Sequence, residues 1–139
     1  MFAVDNRVGR LVEVRVSSLA TLAQLEALNA RFREIASRID SGRLMICADF
    51  SAVTNLASDV ADRLGQLFHA HNPRVARGGV LCAPEEVEVC ARLERSVVLG
   101  GNRERRNFTE AADLIAWLGE VLTDDERGRL IDFLAPRRP

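Results

Sequence analysis

Two short apolar runs, Leu44-Met45-Ile46-Cys47-Ala48 and Val80-Leu81-Cys82-Ala83, constrain the fold more than any other feature of the chain. Each is strand-sized, unbroken and bounded by polar residues, the pattern of a strand covered on both faces. A helix-length stretch precedes each of them. Strands joined by helix-length crossovers pair in parallel within one sheet, through right-handed connections. The expected class is therefore α/β.

The flanking segments fill in the order. Phe2 to Asp5 and Leu11 to Val16 read as two strands joined by Asn6-Arg7-Val8-Gly9, a short glycine-containing connection of the hairpin kind. In the second, Val12, Val14 and Val16 alternate with Glu13 and Arg15, which predicts valines on the core, charges toward water and cover on one side only. Thr21-Leu22-Ala23-Gln24 has the spacing of a capping box. It opens a helix with the stripe Leu22, Leu25, Leu28, Phe32, Ile35 and Ile39, which Asp40-Ser41-Gly42 is expected to end.

Val60, Leu64, Leu67, Phe68 and His71 recur at helical spacing until Asn72-Pro73, because the residue before proline avoids the helical region. Pro84-Glu85-Glu86 reads as the first turn of a third helix running to about Val97. Thr109 is the expected cap of a fourth, with the stripe Ala111, Ile115, Leu118 and Leu122 flanked by Trp117. Thr123-Asp124-Asp125-Glu126 is a second capping box, opening a helix with Leu130, Ile131 and Leu134. The sum is one domain over residues 1–135 with a loose tail at 136–139: a mixed sheet of about five strands, begun by a hairpin and otherwise largely parallel, with four to five helices.

Composition narrows the function. Hydrophobic residues make up 47% of the 139 and charged ones 28%, enough to bury one core. A net charge of -1 gives no broad field to collect nucleic acid or anionic lipid. The start Met1-Phe2-Ala3-Val4-Asp5 has neither the basic region nor the apolar stretch of a signal peptide, and no apolar run is long enough for membrane insertion, so a cytoplasmic location is expected. Cys47, Cys82 and Cys90 are odd in number and lack CxxC spacing, so they read as small buried apolar residues, with no disulfide and no zinc site.

The segment Asp49-Phe50-Ser51-Ala52-Val53-Thr54-Asn55-Leu56-Ala57-Ser58-Asp59, together with this element order, resembles the STAS family, the fold of bacterial anti-sigma factor antagonists. Members typically show an aspartate ending the central strand, a serine or threonine, a V-T pair, and D-S-S-G or D-S-T-G where the second helix begins. Asp49, Ser51, Val53 and Thr54 match that pattern. Ser58 falls at the family's phosphorylatable serine, while Ala57, Asp59 and Val60 replace its flanking aspartate, hydroxyl residue and glycine. The resemblance implies a STAS-like regulatory or scaffolding module that binds another protein, of the kinase-like or sigma-related kind, with a homodimer also allowed. The implied docking surface is Asp49, Ser51, Thr54, Asn55, Ser58, Asp59 and Asp62. The alternative is a sensor of small molecules or lipids, which would need an apolar cavity.

Residue chemistry alone adds little catalysis. Ser58 is placed to cap the second helix, where Asp59 and Asp62 already load the first turn with negative charge. His69 and His71 point to opposite sides of a helix, the first expected exposed and the second half-buried, so no metal is expected. No G-x-S-x-G elbow or cofactor-binding motif occurs, so neither an enzyme nor a cofactor is expected. Gly78-Gly79 and Gly100-Gly101-Asn102 read as turns or strand entries, and Arg103, Arg105 and Arg106 as charges guarding an exposed edge strand.

Overall fold

The structure is a computed structural model and describes residues 1–39 and 43–136. It is α/β, with a five-stranded mixed sheet and five α-helices. The strands are β1 (Phe2–Asp5), β2 (Leu11–Val16), β3 (Leu44–Asp49), β4 (Val75–Leu81) and β5 (Arg105–Phe108). They lie side by side in chain order; β1 and β2 are antiparallel and every later pair is parallel. The helices are α1 (Leu22–Ala36), α2 (Ser58–His71), α3 (Val87–Gly100), α4 (Ala111–Gly119) and α5 (Asp124–Leu134), with a 3₁₀ turn at Asn72–Arg74. Among the described residues no helix is long and apolar enough to cross a membrane.

The sheet separates two apolar layers. On one face the three crossover helices contribute Leu25, Phe32, Val60, Leu64 and Leu93 to a core floored by Val12, Val14 and Val80. On the other face Leu114, Trp117 and Leu118 of α4 and Leu130 and Phe133 of α5 cover Leu11, Met45, Cys47 and Leu81. The period-two alternation along the strands feeds both layers at once, as the unbroken apolar runs require.

That second layer overturns one expectation. β2 is covered on both sides, so Glu13 faces α5 rather than water and is only 3% exposed. It survives burial because Arg129 of α5 grips it with two hydrogen bonds of 2.8 Å each. Arg15, the next charge along, lies 3.3 Å from Asp49, stacks over the Phe133 ring and donates to the Phe133 carbonyl.

Other boundaries differ locally. α1 starts at the expected place, with Thr21 accepting from the Gln24 amide, but ends at Ala36; the expected stop signal Asp40-Ser41-Gly42 lies outside the described residues. Leu22 is 43% exposed and drops out of the buried stripe. β4 begins at Val75, so Gly78 and Gly79 sit inside a strand, not in a turn. Gly79 is required there because a Cβ would come within 2.9 Å of Leu114. Gly101 does end α3, at φ 72°.

α3 begins three residues after Pro84, with Glu86 before its first turn, and α4 begins after Glu110 rather than being capped by Thr109. The Thr123–Glu126 capping box is present in full. Cys82, the residue after β4, and Cys90, in α3, are paired as a disulfide across a Cα–Cα separation of 5.7 Å, contrary to the expectation of three separate thiols. The strand end and the helix start face each other, which the sequence separation does not reveal. Cys47 is a buried free thiol. Of the expected loose tail, Arg137-Arg138-Pro139 lies outside the described residues.

Candidate functional site

β3 ends at Asp49, and the chain needs eight irregular residues, 50–57, to climb from the sheet to α2. Three features hold this loop. Phe50 donates from its backbone to Leu81 at 2.8 Å, locking the loop's first residue to β4. Val53 and Leu56 are each 1% exposed and anchor it in the core. Arg92 of α3 reaches across to the Leu56 carbonyl. Such anchoring fixes a surface loop before anything binds to it, which lowers the ordering cost of association.

On this platform the sequence-predicted residues divide into two groups. Asp49 and Ser51 form a closed unit: Asp49 Oδ1 accepts from the Ser51 amide at 2.9 Å and its hydroxyl at 2.6 Å, while Oδ2 faces Arg15. Asp62 turns sideways to Arg95 of α3 at 3.5 Å. Thr54, Asn55, Ser58 and Asp59 are all exposed. Among the described residues the Thr54, Asn55 and Ser58 side chains make no hydrogen bond, and Asp59 accepts only from the neighbouring Val60 amide at 2.8 Å. Their polar atoms are thus available to a partner.

Ser58 does not cap α2. Ala57 occupies the N-cap position, without a side-chain hydrogen bond, and Ser58 is the first helical residue. The buried Leu56 fixes where the chain enters the helix, and that shifts the cap by one residue. The consequence for chemistry is an uncommitted hydroxyl beside free backbone N–H groups, a setting that attracts an anion, and beside Asp59, which opposes one.

At the opposite end of α2 lies a feature that sequence reasoning assigned otherwise. A half-enclosed cavity of about 70 Å³ separates α1 from α2, walled by Leu25, Leu28, Phe32 and Leu64 and floored by Ile46 and Ala48. His71, half-buried as expected, closes one side: it donates through Nε2 to Asn29 at 2.8 Å and packs against the Phe32 ring. Burial, and then the positive charges of Arg105, Arg33 and Arg74, hold its imidazole below the usual histidine range. His69 is exposed.

Arg105 also borders this cavity. Although β5 is an edge strand, Arg105 is only 5% exposed and guards no edge; Arg103 and Arg106 are the exposed members of the cluster. Its Nη1 donates to the Phe68 carbonyl at 3.2 Å and Asn72 Oδ1 at 3.0 Å, and its guanidinium lies 4.3 Å over the Phe68 ring. No carboxylate pairs with it among the described residues, and burial lowers its pKa to about 10, leaving it charged at neutral pH. The signal available in the sequence was parity: Phe108 turns to the α4 side, so Arg105, three residues before it, turns to the other.

Among the described residues no three histidine, cysteine or carboxylate side chains converge as metal ligands. The chain matches no family model, and no curated protein or solved structure matches it.

Proposed function

We propose that this protein is a non-enzymatic regulatory or scaffolding module of STAS-like type that binds another protein through the rim formed by Thr54, Asn55, Ser58 and Asp59. The observation that carries this reading is a loop anchored in the core whose exposed Thr54, Asn55 and Ser58 side chains make no hydrogen bond among the described residues, while Asp59 accepts only from the adjacent Val60 amide. Preformed surfaces of this kind bind without a large ordering penalty. The resemblance of Asp49, Ser51, Val53 and Thr54 to the STAS pattern supports the same surface and points to a kinase-like or sigma-related partner in the cytoplasm. Asp49 and Ser51 shape the loop, and Asp62 ties α2 to α3, so neither group is the main contact.

A phosphate on Ser58 would add about -1.5 to -2 charges to this rim and is the means of regulation. The test is affinity co-purification from the native cell with mass spectrometry, comparing the wild type with an Asn55→Arg/Asp59→Arg variant and recording phosphate on Ser58. A partner retained by the wild type and lost by the variant supports the reading. Phosphate-free Ser58 in every growth state removes the switch but leaves the docking surface.

The cavity between α1 and α2 favours a second reading, a small-molecule sensor. Its volume of about 70 Å³ falls well short of the ~300–1,000 Å³ typical of ligand pockets, which ranks this reading second.

A further inference from the structure

Three observations converge on the α1–α2 cavity, and the inference rests on the small-molecule reading above. The first is its lining, apolar on nearly every side. The second is Arg105, a buried cation facing no carboxylate among the described residues, whose Nη1 alone is used in hydrogen bonds to the protein. The Nε and Nη2 edge remains, and that is the edge with which a guanidinium takes a carboxylate side-on through two parallel hydrogen bonds. The third is Gly78, the register partner of Arg105 on β4. A Cβ at Gly78 would meet Arg105 Nε at 3.5 Å and Cγ at 3.7 Å, so the absence of a side chain there leaves a methyl-sized space beside Nε.

We infer that this cavity binds a small apolar monocarboxylic acid, its hydrocarbon part against Leu25, Phe32 and Ala48 and its carboxylate on the Nε/Nη2 edge of Arg105. Charge complementarity selects the head group: a buried guanidinium with no counter-ion among the described residues favours an anion, and His71, held neutral, supplies no competing positive charge. Volume selects the tail. A cavity of about 70 Å³ holds roughly five to seven water-sized spheres, the size of an acid of about four to six carbons rather than a long-chain lipid. A phosphate monoester or a dicarboxylate would bring a second charge into the apolar wall and is disfavoured.

The experiment is calorimetric titration of the full chain with hexanoate and, as a matched uncharged probe, hexan-1-ol. Wild type should bind hexanoate at least about tenfold more tightly than hexan-1-ol. Arg105→Met should remove that preference. Because that variant also removes the bonds to Phe68 and Asn72, Gly78→Ala provides the second arm: its new Cβ makes ordinary contacts only, so the protein should fold, yet hexanoate binding should weaken by about tenfold. Equal binding of acid and alcohol, or hexanoate binding unchanged in both variants, would overturn the carboxylate assignment while leaving a small-molecule site. Binding of neither probe would overturn both.

Discussion

Arg129 of α5 holds Glu13 of β2 through two parallel hydrogen bonds of 2.8 Å, and this pair fastens the last helix to the underside of the sheet. Removing one member of a buried pair strands the other charge, which costs far more than the pair contributes relative to apolar residues. Arg129→Ala should therefore lower stability by about 3 kcal/mol, measured as a shift of the urea midpoint, and Glu13→Leu/Arg129→Met should recover most of it. Equal loss in the single and double variants would show that packing, not the uncompensated carboxylate, dominates.

Glu126 has a comparable role where α5 begins. Its carboxylate accepts from the Thr123 amide at 2.9 Å and from the Arg10 amide at 2.7 Å, so it closes the capping box and ties the β1–β2 connection to the helix. Burial pushes this carboxyl up, but the hydrogen bonds from Thr123 and Arg10 outweigh it and hold the pKa below the ordinary 4.5. A depressed carboxylate stabilises the fold above its unfolded pKa, and that contribution disappears as pH falls through the folded value. Glu126→Gln should lose about 2 kcal/mol at neutral pH and show a shallower decline in acid than the wild type.

Gly9 is linked to the same carboxylate. Its φ of 56° already disfavours a side chain, and a Cβ would stand 2.2 Å from Glu126 Oε2. Gly9→Ala should be destabilising by at least about 1 kcal/mol in thermal unfolding, whereas Gly128→Ala, where nothing lies within 4 Å, should be neutral or stabilising.

His71 predicts a pH dependence of its own. Its folded pKa lies below the unfolded 6.5, so the folded state binds fewer protons, and stability must fall as pH drops from above that value toward the folded pKa. His71→Gln should reduce the loss in urea midpoint between about pH 8 and about pH 5.5; an unchanged loss would assign the acid sensitivity to other groups.

Much of the architecture was legible because local signals carry it. The hairpin connection Asn6-Arg7-Val8-Gly9 placed β1 beside β2, alternation marked β2, the buried runs identified β3 and the end of β4, and Thr21 and Thr123 marked two helix starts. What escaped depends on which elements meet. The pattern around Glu13 distinguishes two faces of a strand but not whether the second face is covered, and Arg129 looks like any exposed helical arginine until α5 is folded back. Cys82 and Cys90 are brought together by a tight strand-to-helix turn, and Arg105 is buried because its register partner is a glycine. At the rim, the residue types and their exposure were legible, but the cap shift from Ser58 to Ala57 follows from Leu56 being pulled into the core.

The rim of Thr54, Asn55, Ser58 and Asp59 is the proposed docking surface for a partner protein. The most direct measurement is the Kd of that partner, once identified by co-purification, for the wild type and for Asn55→Arg/Asp59→Arg, with circular dichroism confirming that the variant is folded. A loss of at least about tenfold is expected, since two exposed side chains change sign or size without disturbing the core. An unchanged Kd in the folded variant would contradict it and move the interaction elsewhere on the molecule.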